Sequence, residues 1–168
     1  VPDIVTLGKP MGNGHPIAAV ITTTKIANTF NNGMEYFNSF GGNPVSCSIG
    51  NAVLDVIDSK KLQKNATNVG NYFLYKLTKL KNKFPKYISE VRGKGLFLGI
   101  DLIKKGDNFL PNYTLATKIV NQLRDKGILL STDGPFHNVI KIKPPLVFNK
   151  SNVDFVYSEL NNYLTKIK

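Results

Sequence analysis

Lys9 follows the short apolar run Ile4–Leu7 and Gly8, and it precedes a loop built from Gly12, Asn13 and Gly14. An amine held at a strand end, beside backbone that a ligand can approach closely, is placed to attack a carbonyl carbon and hold it as a Schiff base. That chemistry needs an amine whose charged form is disfavoured and whose nitrogen is fixed in space. Taken by itself, Lys9 reads more readily as a solvated lysine at a strand end. His15, in the same loop, could tune a proton transfer; packing between Gly14 and Pro16 is the preferred reading. Ser39 by residue type is a loop serine capping a turn. Lys141 and Lys143 stand at i and i+2, which puts both on one strand face as outward-pointing residues. Cys47 lies on an early helical turn and reads as packed rather than reactive. Arg92, in Arg92-Gly93-Lys94-Gly95, reads as the residue at which a strand turns, with a substrate contact left open. Tyr36 and Phe37 are loop aromatics, near a site or at an interface. The two histidines, His15 and His137, have no Cys, His or acidic partners at metal-ligand spacing, so no metal is expected.

The elements that must carry these residues follow from periodicity. Ile4–Leu7 and Ala18–Thr22 read as buried strands, with a tight loop from Pro10 to Pro16 between them. Lys25–Phe30 fits a short helix, and Asn31–Gly42 a loop. Asn43-Pro44 is a helix start, with Asn as cap and Pro in the first turn. That helix runs to about Ser59, with Val45, Ile49, Ala52, Val53, Val56 and Ile57 on one side. Leu62–Phe84 keeps the same period through Val69, Phe73, Leu77 and Leu80, and Pro85 ends it. Strands are expected at Ile88–Val91, Leu96–Leu102, Ile128–Ser131 and Val139–Ile142, with a turn at Asp133-Gly134-Pro135. A polar loop covers Lys104–Asn112. Thr114–Lys126 is a helix stopped by Gly127. Ser151 caps a last helix, with Asp154 in the manner of a capping box. The boundary falls between Ser59 and Leu62: residues 1–60 carry two strands and too little surface to fold well alone, and residues 61–168 make a compact α+β unit.

Composition bounds the class. A chain of 168 residues, 42% apolar, is long enough for one core or for one small domain plus part of another. It opens on Val1 as if at the end of a strand, which is the expectation for a fragment or processed form. No apolar run approaches the roughly 20 residues a membrane span needs, and no leader pattern is visible. A single cysteine fits a reducing compartment, and the cytoplasm is expected. The net charge of +11 would suit a nucleic acid or membrane surface. The basic residues are almost all lysines, spread along the chain rather than gathered in a block, so solvated Lys/Asn-rich helix faces account for the charge at least as well.

Four segments alter the odds on Lys9. Pro2-Asp3-Ile4-Val5-Thr6-Leu7-Gly8-Lys9, with Gly12-Asn13-Gly14 and Pro16, resembles the cofactor-lysine segment of class III aminotransferases. Phe37-Asn38-Ser39-Phe40-Gly41-Gly42-Asn43-Pro44 resembles the family's second hallmark. Arg92-Gly93-Lys94-Gly95-Leu96 with Gly99 resembles the third, and Val139–Leu146 the fourth. They occur in the family's order and approximate spacing over essentially the whole chain. GKPMGNGHP, GMEYFN, GGNPVSC and NVIKIKPP carry a nearer likeness to the alanine–glyoxylate aminotransferase 2-like branch, which includes phospho-lyases acting on ethanolamine phosphate.

The resemblance implies α/β and α+β architecture: the C-terminal part of a fold type I pyridoxal-phosphate transferase. Residues 1–60 would be the end of the large domain and 61–168 the small domain. It implies pyridoxal 5'-phosphate as cofactor, with Lys9 as catalytic amine and general base. Ser39, where the family has threonine, would bind the cofactor phosphate of a partner subunit, since its hydroxyl donates the same bond. Lys141 would contact substrate. Where several family members that act on amino acids place an arginine fork, lysine offers only a point charge, which is compatible with a phosphorylated amine or with another basic residue taking over. The implied partners are an amine or amino acid, a keto-acid acceptor and a second copy of the full-length chain. Transamination is the first reading and phospho-lyase elimination the second. A racemase or aminomutase would use the same lysine, and a non-catalytic basic module is the rival from another class.

Overall fold

The computed structural model describes residues 1–105 and 110–167. The chain divides into two units, Val1–Lys60 and Lys61–Lys168. The architecture is mixed α/β.

In the first unit, β1 (Ile4–Leu7) and β2 (Ala19–Thr22) pair antiparallel, from Ile4 opposite Thr22 to Leu7 opposite Ala19. A 3-10 turn, Lys9–Gly12, follows β1. Two helices complete the unit: α1 (Thr24–Phe30) and α2 (Pro44–Ser59). Asn43 caps α2 as its residue type predicts, its side chain accepting from the Ser46 N–H. The expectation of buried strands is not met within this unit. Ile4, Leu7, Val20 and Ile21 are all exposed. The stripe expected on α2 is likewise open, with Val45 and Val56 exposed. The reason is geometric: a two-stranded ladder has two faces to cover, and residues 1–60 supply no layer for them.

The second unit has a true core. Its sheet has the order β3-β4-β6-β5, all antiparallel: β3 (Ile88–Lys94), β4 (Phe97–Leu102), β5 (Ser131–Asp133) and β6 (Val139–Ile142). The register sets Leu98 opposite Ile142 and Ile100 opposite Ile140, and all four are buried. The alternate residues, Gly99, Asp101, Val139 and Lys141, lie on the other face. The inner face packs under α3 (Leu62–Lys83) and α4 (Tyr113–Arg124), with α5 (Lys150–Lys166) against both helices. Phe73, Leu77, Leu80, Ile119, Val153 and Leu164 meet the strand residues in one cluster. Burying side chains of this size contributes roughly 1.5–3 kcal/mol each.

Several boundaries differ from the reading of the sequence. β3 continues through Arg92 and Lys94, and the hairpin turns at Gly95-Leu96 instead of at Arg92. β5 starts at Ser131 rather than Ile128, because Ile128 ends α4's exit and packs in the core. The cap of the last helix lies two residues before Ser151. Asn149 is that cap and shares a reciprocal capping box with Asn152, while Ser151 Oγ donates to Asn149 Oδ1. Part of the polar loop expected at Lys104–Asn112, residues 106–109, lies outside the described residues; its flanks close through an Ile103–Pro111 bridge. Among the described residues no helix is long and apolar enough to cross a membrane.

Candidate functional site

Lys9 stands at the first position of the turn that leaves β1, and it is exposed. Its φ is +35°, the left-handed region that a β-carbon disfavours. A non-glycine residue held there is strained by roughly 1–3 kcal/mol, and such residues persist where surrounding structure over-determines them. Asn13 is also left-handed, with φ +47°. Gly12 between them is buried: a β-carbon there would come within 2.7 Å of Ile17 Cγ2. That contact, rather than general flexibility, is why glycine is needed.

His15 is not a simple packing residue. Its Nε2 lies 2.8 Å from Ser46 Oγ, in the first turn of α2. Ser46 Oγ accepts from Asn43 Nδ2 at 2.9 Å, and Asn43 Nδ2 also donates to the Phe40 carbonyl at 2.7 Å. Ser46 was not singled out by the sequence; only the folded loop shows that it faces His15. Cys47, expected to pack, is exposed, because α2 has no layer over that side within its unit.

Ser39 is exposed on the loop before α2. Asn38 Oδ1 accepts from the N–H groups of Phe40 and Gly41, at 3.3 and 3.0 Å. This Asx turn fixes the backbone on either side of Ser39. Tyr36 and Phe37 are exposed, and Tyr36 meets Phe30 edge to face at 5.6 Å. A cavity of about 700 Å³ opens between the Lys9 loop and the α2 loop, lined by Met11, His15, Ile17, Phe40, Asn43 and Ser46. Neither Lys9 nor Ser39 lines it.

Lys141 belongs to the second unit, on the sheet face opposite the helices. Its ammonium is 2.6 Å from Asp133 Oδ2. That bond, with the Gly134 N–H, holds the Asp133 carboxyl below the ordinary carboxylate value. Sequence reasoning read Asp133 only as a turn residue. The β5–β6 register, which sets Asp133 opposite Val139 and Ser131 opposite Lys141, makes it the lysine's diagonal neighbour. Lys141, Asp133, Arg92, Lys94, Phe97 and Val139 line a cavity of about 530 Å³. Arg92 is already bound to Glu90 at 2.7 Å and Asp101 at 3.2 Å. Lys143 does not share this face. β6 ends at Ile142, before Pro144, and Lys143 lines a separate apolar cavity with Phe148 and Phe155. Among the described residues no group of three His, Cys, Asp or Glu side chains could hold a metal.

An aldehyde cofactor needs a reachable amine fixed in space: Lys9 is reachable and on constrained backbone, while residues 1–60 do not supply the burial expected around it. A phosphate needs an exposed donor, and the Ser39 hydroxyl fits. The family model for class-III aminotransferases matches residues 1–164. An alanine–glyoxylate aminotransferase 2-like protein of Drosophila melanogaster is 48% identical over 156 residues, which is 92% of this chain and 31% of that protein. The mitochondrial alanine–glyoxylate aminotransferase 2 homolog 2 of Arabidopsis thaliana is 44% identical over 99% of this chain and 35% of its own length. A solved phospholyase from Arthrobacter, in complex with phosphoethanolamine, superposes with a TM-score of 0.95 at 39% identity. It covers all of this chain and 40% of that one. The chain thus spans about a third of the length of the curated relatives it matches.

Proposed function

The chain belongs to the class-III aminotransferase family, and we propose that it carries the cofactor lysine and part of the substrate wall of a pyridoxal-phosphate-dependent transaminase. The family is pyridoxal-phosphate dependent. The observation that carries the reading is Lys9: an exposed amine on a strained, left-handed residue where β1 ends.

When bound, the cofactor supplies an aldehyde for the substrate amine and a conjugated ring that takes up the electron pair left by the α-proton. Lys9 Nζ would be the amine that holds the cofactor aldehyde, and the same amine would take up the substrate α-proton and return it. Ser39 Oγ would donate to the cofactor phosphate of a partner subunit in a homodimer of the full-length protein, from an exposed position beside the Asn38 turn. Lys141 Nζ meets the substrate's anionic group, at the cost of sharing its charge with Asp133. A keto acid accepts the amino group. Residues 1–60 close a large domain of fold type I and residues 61–168 form the small domain, a division that the two units support. At about a third of its relatives' length, the chain alone neither holds the cofactor tightly nor turns over. We assign it to the cytoplasm on its single cysteine, although the Arabidopsis relative is mitochondrial by name.

A second reading, elimination of phosphate from a phosphorylated amine, is favoured by Lys141. A lysine paired to Asp133 is a poor two-pronged carboxylate clamp. Given amino donor alone, a transaminase accumulates the aminated cofactor; a phospho-lyase releases phosphate and ammonia without an acceptor. The test of the common step is an absorbance spectrum of the full-length protein with cofactor, against its Lys9→Ala variant. Loss of the protein-bound cofactor band in that variant is expected. A band that survives removes Lys9 from the role.

A further inference from the structure

The strain at Lys9 needs a restraint, and the loop's own backbone does not provide one. Its hydrogen bonds are local: Met11 N–H to Gly8 O, Asn13 N–H to Pro10 O, and His15 N–H to Gly12 O. Each closes a turn, and none ties the loop to the rest of its unit. Among the described residues, one side-chain bond does: His15 Nε2 to Ser46 Oγ, 2.8 Å, spanning 31 positions of chain. Ser46 is in turn fixed at both ends. Its N–H donates to Asn43 Oδ1 at 2.9 Å, and its hydroxyl accepts from Asn43 Nδ2. Asn43 is the cap of a 16-residue helix. The relay therefore runs from the Lys9 loop through an imidazole and a hydroxyl into the end of a rigid element.

We infer that His15 is the positioning residue for Lys9: its bond to Ser46 holds the left-handed turn that presents the lysine amine. The inference rests on Lys9 being the cofactor amine. His15 acts on Lys9 through the loop. Its half-buried ring suits this role, since a partly shielded hydrogen bond is exchanged less readily for water.

Reach separates this role from one of mere bulk. A glutamine amide lies the same number of bonds from Cα as histidine Nε2 and can bond Ser46; an asparagine amide is one bond short. The experiment treats the chain with millimolar pyridoxal 5'-phosphate and borohydride, then maps labelling by mass spectrometry as the Lys9-to-Lys25 ratio. Lys25 is an exposed helical lysine of the same unit and serves as the internal standard. In the wild type Lys9 labels faster than Lys25. His15→Asn and Ser46→Ala lower the ratio roughly five- to tenfold, the worth of one hydrogen bond, and His15→Gln retains it. An unchanged ratio in His15→Asn and Ser46→Ala overturns the inference, as does a His15→Gln that falls with His15→Asn. If the wild-type ratio is no higher than one, the assignment of Lys9 itself fails, which is a different result. Should a variant unfold, the imidazole 15N shifts of wild type and Ser46→Ala decide. The His15 Nε2 resonance moves on loss of the hydroxyl and that of His137 does not; a His15 resonance that stays put refutes the bond.

Discussion

Gly70 sits in the middle of α3, where alanine would ordinarily stabilise a helix by about 1 kcal/mol. Here the opposite is expected. A β-carbon on Gly70 would lie 2.1 Å from the Gly95 carbonyl oxygen and 2.3 Å from its carbon. That is about 1.3 Å inside the distance at which attractive contact gives way to overlap. Both obstructing atoms are backbone, so no rotamer relieves the clash. The helix cannot slide away either, because Val69 and Phe73 on the same face are 5% and 0% exposed. The hairpin is itself closely packed at Gly93, whose own β-carbon position would be 2.2 Å from the Phe97 carbonyl oxygen. Overpacking of this kind costs about 3 kcal/mol at the upper end of its usual range. Less the propensity gain, Gly70→Ala should destabilise by about 2 kcal/mol, or about 1 M in a urea midpoint. Asn71→Ala, the exposed neighbour, should raise the stability by a few tenths of a kcal/mol. Urea unfolding followed by circular dichroism measures both. A Gly70→Ala midpoint equal to or above wild type would refute the reasoning, since the close approach of helix and hairpin would then be absent in solution.

Three further outcomes are expected. Phe73→Ala empties the centre of the core and should cost about 3–5 kcal/mol in the same assay. Asp133→Asn releases Lys141, so inorganic phosphate should bind this face more tightly, read as larger amide shifts at Gly99 and Val139; Lys141→Met should abolish them. Asp154 is held below its ordinary 3.8, first by its bond to Lys76 and then by Tyr72, and Asp133 is lowered in the same sense. A depressed carboxylate favours the fold above its unfolded value and loses that contribution as pH falls through the folded one. Stability should therefore fall with acid below pH about 4, and Asp154→Asn should flatten that slope, modestly and less so in salt, since both groups are exposed.

The second unit was legible because its signal is self-contained. The 3.6-residue period from Leu62 to Phe84 becomes α3 because Val69, Phe73, Leu77, Leu80 and Phe84 of that stripe all join the core within residues 61–168. The family was legible from four short motifs, because glycines at fixed offsets mark backbone that approaches something closely; Gly93 and Gly95 do so around the hairpin. Apolarity misled where no covering layer is present: Val20 and Ile21 read as buried and lie open. Cap placement misled for a local reason, since Asn149 and Ser151 are both good caps and only the folded geometry selects the first. Pairings across the sheet were invisible. Nothing in the order of residues says that Asp133 will sit diagonal to Lys141, or that Ser46 will meet His15, until register and loop path are set.

The strand order has a consequence for synthesis. β6 is the last of the described strands to leave the ribosome, yet in space it lies between β4 and β5. Until Val139–Ile142 arrives, β4 offers an unpaired edge and β5 has no neighbour at all. The nascent chain must therefore keep a helix-backed hairpin from pairing with foreign strands while some 35 residues are added. A pause or truncation just before Asn138 leaves that edge open, whereas one after Ile142 leaves β4 and β5 both paired to β6.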